Sequence, residues 1–517
     1  MIIKNYMRII GFIFFCTLSL QAQEGQLESA DKKFERFAYM DAIKNYEDVA
    51  AKGYESVGLF QKLGDAYYYT GNLTTALKWY NKLYELNPGL SAEYFFRYSQ
   101  ALKSAGDYDN AARMMEQFTA LNASDSRSRE YNNNKAYLDT IKKNSGRYTI
   151  YNPNINSSSI DYGPAFFGNR IVFASTRDTI GYMRKIDKWT NHGFTRLHVS
   201  ARTRNGMLGT PSPFSEKVDT RFHESTPVFT KSMVVMYFTR NNYNKGKKRK
   251  DKDGKVLLKI YRAIFDGKNW VNVTELPFNG NDFNTAHPAL SEDEKTLYFA
   301  SDRPGSIGGS DIFKVSINKD GTYGTPENLG PGINTEGRET FPFISNDKLY
   351  FASDGHPGLG GLDVFVSRSE RGVFKKVYNV GEPVNGPTDD FAFIIKEESK
   401  SGFFTSNRPG GEGNDDIYGI TEVTELVFDC KHQVTGLITD SNTGKVFPKA
   451  KVSFFNEDHI FIQETETDAA GIYSFKAECG KKYFVKAYPA GCTPKEVSVT
   501  TETASGETQA PISLAGP

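Results

Sequence analysis

A unit that recurs between residues 148 and 423 constrains the fold of this chain more than any other feature. The unit is an acidic residue, a proline three positions on, an apolar strand, a turn, a second apolar strand and a Ser-Asp-Arg-like end, with Thr285 in place of the acid in the third copy and Ala392 in place of the proline in the fifth. The copies run from Asp161 and Pro164 to Arg177, from Glu224 and Pro227 to Arg240, and from Thr285 and Pro288 to Arg303. Two more run from Glu339 and Pro342 to Asp354, and from Asp389 and Ala392 to Arg408. A Gly-rich turn and a third strand follow, as at Gly308-Gly309-Ser310-Asp311 and Gly360-Gly361-Leu362-Asp363. A fourth strand precedes the next copy and often ends in Ile-Asn, as at Ile333-Asn334. Four antiparallel strands in a repeat of about 50–60 residues describe a propeller blade. The reading is therefore an all-β propeller with five blades, six being the alternative. Ile155-Asn156 precedes Pro164 as Ile333-Asn334 precedes Pro342, so the strand at Tyr148–Tyr151 has no blade of its own. It is expected to complete the last blade beside Asp416-Ile417-Tyr418, which removes an open strand edge.

Ahead of this array the period is helical. Residues 57–90 carry Phe60, Leu63-Gly64, Tyr67, Ala76, Tyr80, Leu83 and Pro88. Gly64 and Ala76 are small enough for two helices to approach, Tyr67 and Tyr80 fill the space between them, and Pro88 ends the second helix. The spacing resembles the tetratricopeptide repeat. Residues 28–122 read as about three such units, with Phe95, Tyr98, Gly106, Ala111 and Phe118 in the next and Ala42, Tyr46 and Val49 in the one before. A further helix runs through Tyr137 to Ile141. Solenoids of this kind present a concave face, and Tyr68, Tyr69, Arg97 and Gln100 are the residues expected to line it and bind a peptide or helix of a protein partner.

After about Cys430 short alternating strands return, at Val434–Asp440, Ala450–Phe454, Tyr473–Phe475 and Tyr483–Ala487, separated by turns such as Asn442-Thr443-Gly444. They describe a small β-sandwich. At the other end, Lys4 and Arg8 precede an apolar run from Ile9 to Leu20, then Gln21-Ala22. This has the form of a secretory signal peptide cleaved after Ala22. The expected organisation is a signal peptide at 1–22, helical repeats at 23–145, a propeller at 146–426 and a sandwich at 427–517. Export makes a disulfide plausible. Cys430 and Cys479, flanking the first sandwich strands, are expected to pair, with Cys492 as the competing thiol.

Lys and Arg number 63 and Asp and Glu 62, so the chain lacks the basic footprint of a nucleic-acid binder. The local exception is Lys245-Gly246-Lys247-Lys248-Arg249-Lys250, in an inserted hairpin of the second blade. It reads as a solvated loop tip or as a contact for an acidic partner or lipid headgroups. No H-E-x-x-H, no Cys–His cluster and no G-x-S-x-G elbow occurs. Asp311, Asp363 and Asp416 follow Gly-rich turns and are expected to bond the backbone of those turns, a cation site being the alternative. The sequence therefore reads as non-catalytic, with no catalytic, metal or cofactor-binding residues, although a propeller that binds a ligand or hydrolyses it at its channel mouth is the alternative. The blade acids and arginines are expected to pair between neighbouring blades, as Asp161–Arg240, Glu224–Arg303, Glu339–Arg408 and, across the closure, Asp389–Arg177. That register would align the gap at Thr285 with the gap at Gly355.

Ser301-Asp302-Arg303-Pro304-Gly305 and Asn328-Leu329-Gly330-Pro331-Gly332-Ile333-Asn334-Thr335 resemble the WD40-like repeats of TolB-type propellers. The last segment resembles the carboxypeptidase regulatory-like domain, which is not an enzyme. In this order the modules resemble the PorE/OmpA-family envelope proteins of Bacteroidetes. The resemblance implies a periplasmic scaffold at the outer membrane, peripheral to it, associated with type IX secretion and gliding. It also implies PorP/SprF-like outer-membrane proteins or other secretion components as partners. That family usually continues into an OmpA-like peptidoglycan-binding domain; this sequence stops at Pro517, as a natural short form or a truncated one, so no peptidoglycan-binding residue is carried over.

Overall fold

The computed structural model describes residues 24–177, 186–202, 207–244, 246–370, 372–426, 428, 432–502 and 506–515. The chain divides into two compact units, one holding the helices and the propeller, the other the C-terminal sandwich.

Helix α1, described over residues 24–34, leads into α2 (Tyr39–Ala50), α3 (Val57–Tyr69), α4 (Leu73–Leu86), α5 (Ala92–Ser104), α6 (Tyr108–Leu121), α7 (Ser126–Asn133) and α8 (Tyr137–Asn144). Side chains at the helix starts supply acceptors for free N–H groups. Ser56 accepts from Leu59 N at 3.2 Å, Asn72 from Thr75 N at 3.1 Å and Asp107 from Asn110 N at 3.2 Å. One apolar stripe per helix meets in a single core around Tyr46, Leu63, Tyr80, Leu83 and Phe118. Gly64 is required there: a Cβ would lie 2.4 Å from Tyr80 Cε1.

Five four-stranded antiparallel sheets follow among the described residues, so the ring has five blades. Their first strands are Asp161–Phe167, Glu224–Phe229, Thr285–Leu290, Glu339–Ser345 and Asp390–Lys396. Each touches the next, and the last touches the first, closing the ring around its axis. Tyr148–Tyr151 pairs antiparallel with Asp416–Glu422, Tyr148 opposite Glu422, and supplies the outermost strand of blade five.

Every first strand breaks register at the same place, between Tyr162 and Ala165, Ser225 and Val228, Ala286 and Ala289, Thr340 and Phe343, and Phe391 and Ile394. The residue at the break, Gly163, Thr226, His287, Phe341 or Ala392, has a positive φ of 42° to 64°. Four are not glycine, and each left-handed residue costs about 1–2 kcal/mol. The ring of five over-determines these bulges, and aromatic side chains at and beside them fill the axis. His287 stacks on Phe341 at 3.8 Å, and Phe341 meets Phe391 at 4.8 Å and Tyr162 at 6.4 Å.

The second unit is a two-sheet sandwich. His432–Asp440 pairs with Ile472–Ala477 on one side and with Gly506–Gln509 and Ile512–Leu514 on the other. The facing sheet runs Phe461–Glu466, Lys451–Asn456, Lys482–Tyr488, Lys495–Thr500. Val434, Val452, Phe454, Phe475 and Val485 fill the space between them. Cys479 is held in a disulfide and Cys492 is a free thiol. The Cys430 half of the expected Cys430–Cys479 pair lies outside the described residues.

Candidate functional site: the cleft between the repeats and the ring

The blade acids and arginines pair within blades, which corrects the expected inter-blade register. Arg177 Nη2 donates to Asp161 Oδ1 at 2.6 Å, Arg240 Nε to Glu224 Oε1 at 3.0 Å, and Arg408 Nη2 to Asp390 Oδ1 at 2.7 Å. Thus none of Asp161–Arg240, Glu224–Arg303, Glu339–Arg408 and Asp389–Arg177 forms. The reason is strand register: the acid-bearing start of the first strand lies directly across from the end of the second, with Asp161 opposite Ser175 and Glu224 opposite Arg240. In blade five the acid that pairs is Asp390; Asp389 instead accepts from Leu362 N at 2.8 Å.

The two gaps need no alignment, because hydroxyl groups fill them. In blade three Arg303 donates to Thr285 Oγ1 at 3.1 Å. In blade four Glu339 accepts from Thr335 Oγ1 at 2.8 Å and Ser353 Oγ at 2.6 Å. Burial pushes the Glu339 carboxyl up to about 8. Each arginine also donates to a carbonyl of the segment entering its blade: Ile155, Val218, Phe278 and Val384. In blade four, where Gly355 replaces the arginine, His356 takes over this role. Its Nε2–H donates to Ile333 O at 2.9 Å.

The other face of His356 meets the helices, its Nδ1–H donating to Glu130 Oε2 of α7 at 2.8 Å. Further bonds join the same surfaces. Tyr68 of α3 donates to Asp354 Oδ2 at 3.2 Å, Gln100 of α5 to Asp354 O at 3.0 Å, and Tyr108 of α6 to Leu359 O at 3.1 Å. Ser126 N donates to Glu336 Oε2 at 3.0 Å. Asp354 also accepts from Arg338 Nε at 2.8 Å. Burial alone would raise the Asp354 carboxyl, but the Arg338 guanidinium holds it below the usual range. From blade one, Trp189 Nε1 donates to Tyr69 O at 3.1 Å while its ring packs edge-on to Tyr39.

Two of the four expected groove residues are therefore spent on the propeller. Tyr68 and Gln100 are buried against blade four and are not free for a partner. On an isolated solenoid both would be exposed, and the ring covers that part of its face. Tyr69 and Arg97 do line open space. Arg97 donates to Asp65 Oδ1 at 2.8 Å and to Glu93 Oε1 at 3.1 Å, its guanidinium 5.2 Å from the Tyr69 ring. His356, Glu130, Asp354, Arg338 and Trp189 were missed. The one legible signal was the fourth blade, which lacks its arginine and carries a histidine one position later.

Around this junction lies a cleft of about 1830 Å³ between α1, α2, α3, α5 and α7 and the ring face. The basic hairpin reaches it: Tyr243–Asn244 pairs with Lys247–Lys248, and Lys248 and Lys250 line the mouth; Lys245 lies outside the described residues. A second, smaller cavity of about 330 Å³ opens at the opposite end of the axis. The His287–Phe341–Phe391 plug stands between the two. Burial drives the His287 imidazole down to about 3, so it is neutral.

Asp311, Asp363 and Asp416 bond their turns, accepting from Ile307 N at 2.7 Å, Leu359 N at 2.8 Å and Gly413 N at 3.0 Å. Among the described residues no three His, Cys, Asp or Glu side chains are grouped to hold a metal ion. No described helix is long and apolar enough to cross a membrane.

Fold and cleft together define a helical-repeat protein docked on a five-bladed propeller, with a sandwich as a separate unit. Residues 57–90 match the family model of the tetratricopeptide repeat. Among curated proteins no sequence matches the chain. The similar solved structures include an alpha-L-arabinofuranosidase from Lactobacillus brevis, 11% identical, covering 53% of this chain and 97% of its own, TM-score 0.34. A protein assigned as TolB from Agrobacterium tumefaciens is 12% identical, covering 64% and 91%, TM-score 0.31. A 5-hydroxyisourate hydrolase from Klebsiella pneumoniae is 17% identical, covering 18% and 94%, TM-score 0.14.

Proposed function

We propose that this protein is a non-catalytic scaffold that binds protein partners in the cleft between its helical repeats and its propeller. The observation that carries the reading is the locking of repeats and ring into one unit around an open cleft of about 1830 Å³. Asp161, Glu224, Glu339 and Asp390, the acids at the starts of the blades' first strands, are engaged by arginine or hydroxyl partners inside their own blades. The axis behind them is filled by side chains. In this reading the protein is exported and works in the periplasm at the outer membrane. Its partners are PorP/SprF-like proteins or other type IX secretion and gliding components. The first 22 residues and the order of modules support this placement, and Cys430 is the disulfide partner of Cys479.

The test has two arms. Cross-linking of the full chain in its native envelope, followed by partner identification, should return the same outer-membrane or secretion protein reproducibly. The purified protein should turn over no glycan, ester or peptide substrate. Turnover that disappears on substitution of a carboxylate in the cleft would overturn the reading in favour of a hydrolytic propeller.

A further inference from the structure

The charges lining the cleft are unequally satisfied. Most of its carboxylates have partners: Asp41 with Lys188, Glu93 with Arg97 and Arg127, Asp354 with Arg338 and Asp187 with His223, while Glu336 and Asp302 accept from the neutral Ser126 and Asn284. Arg36, Lys62, Arg221, Lys250 and Lys255 form no ion pair among the described residues, and three of them rest on aromatic rings. Lys62 sits over the Phe34 ring at 4.4 Å, Lys255 over Phe37 at 4.5 Å and Arg221 over Tyr243 at 6.0 Å. None of the three forms an ion pair among the described residues. They come from different elements: Lys62 from α3, Arg221 from the entry to blade two, Lys255 from the strand-two to strand-three connection of that blade. Arg36, and Lys250 of the basic hairpin, add to them, against the unpaired Glu35 and against Asp302 and Glu336, whose partners are neutral.

The floor between these cations is aromatic. Phe37, Tyr69 and Trp189 are half-buried and line the same cleft, with Phe37 and Trp189 5.5 Å apart. The volume exceeds the roughly 1,000 Å³ at the upper end of small-molecule pockets, so the space fits a stretch of chain better than a metabolite. Cations held on ring faces are positioned before a ligand arrives, at low entropic cost.

We propose that the cleft takes an extended acidic polypeptide segment. Its carboxylates meet Lys62, Arg221 and Lys255, and its interspersed apolar side chains rest on Phe37, Tyr69 and Trp189. This rests on the scaffold reading and names the chemistry of the partner. Charge complementarity selects polypeptide acids, and the aromatic floor distinguishes them from a plain polyanion, which has nothing to place there.

The probe is a fluorescein-labelled peptide alternating Glu with Phe and Tyr, titrated against the purified full chain by anisotropy. The comparison probes are a peptide with Lys in place of Glu, one with Ser in place of the aromatics, and inorganic polyphosphate. Binding of the Glu/aromatic peptide should weaken as salt rises, and it should fall about tenfold or more in the triple variant Lys62→Glu, Arg221→Glu, Lys255→Glu. Exposed Lys319, outside the cleft, supplies the control K319E, which should bind as the parent does. Should the triple reversal unfold, the neutral variant K62Q/R221Q/K255Q gives the same reading with a smaller change. Equal binding by the triple or neutral variant overturns the proposal. So does equal affinity for polyphosphate or for the Ser-containing peptide, which would make the cleft a polyanion site. Envelope cross-links that survive on the triple variant would remove the cleft assignment while leaving a scaffold that uses another surface.

Discussion

His356 shows how one side chain can decide a junction. Its two ring nitrogens face two acceptors, Glu130 Oε2 and Ile333 O, and a neutral imidazole has only one N–H to give. Both bonds are made only by the imidazolium. Burial works against that charge, but Glu130, with Glu339 behind it, lifts the group to about 9. The folded pKa stands above the ordinary 6.5, so the stabilisation is full below pH 6.5 and is lost as pH rises towards 9. It amounts to at most about 3 kcal/mol. Thermal unfolding followed from pH 6 to pH 10 should show this fall in the parent. His356→Gln, which carries no positive charge to set against Glu130, should start lower and lose the His356 share of the slope. A parent and variant with parallel pH profiles would show that the imidazolium does not hold the junction.

Within a blade, the unit of stability is the acid–arginine pair that joins the start of the first strand to the end of the second. Glu224 and Arg240 are both buried, so removing either strands the other. Glu224→Gln should cost about 3 kcal/mol in chemical denaturation, and adding Arg240→Met should cost much less than the sum of the singles. The pair Glu224→Gln with Arg303→Met should be additive; strong coupling there would restore the inter-blade register. The repeat itself was legible because each blade spells out its own strands, turns and closing strand in local pattern. Pairing was not, because antiparallel register places Asp161 beside the chain that follows Ser175 of its own blade, and a list of charges holds no register. Hydroxyl groups of Thr285, Thr335 and Ser353 then satisfied the groups that charge counting left over. The axial plug was hidden for a similar reason. The break was visible as a motif, before a proline in four blades, but that it turns His287 and Phe341 inward follows from a positive φ that no composition reveals. Phe341→Ala should destabilise the ring by about 3–4 kcal/mol and connect the two cavities it separates, measured by denaturation together with the uptake of a small apolar dye.

For the whole molecule the decisive contacts were those between modules, and there the sequence was least informative: Tyr68 and Gln100 look like groove residues until the ring that covers them is in place. Trp189 reaches across from blade one to the carbonyl of Tyr69, so Trp189→Ala should loosen the junction by about 2 kcal/mol and raise the rate of limited proteolysis between Asn144 and Arg147, with the sandwich unaffected. The strand Tyr148–Tyr151 has a different consequence, one of timing. It is the earliest piece of the ring to be synthesised, and its partner, Asp416–Glu422, is the last. The ring therefore cannot shut until nearly the whole propeller has emerged, and closing so long a loop is slow. Until then the strand waits at the end of α8, beside helices whose own contacts are local and fast to form. A chain halted before Asp416 keeps a finished helical module tethered to an unpaired strand edge, so release of such fragments should yield aggregates, where release after Glu422 yields soluble rings.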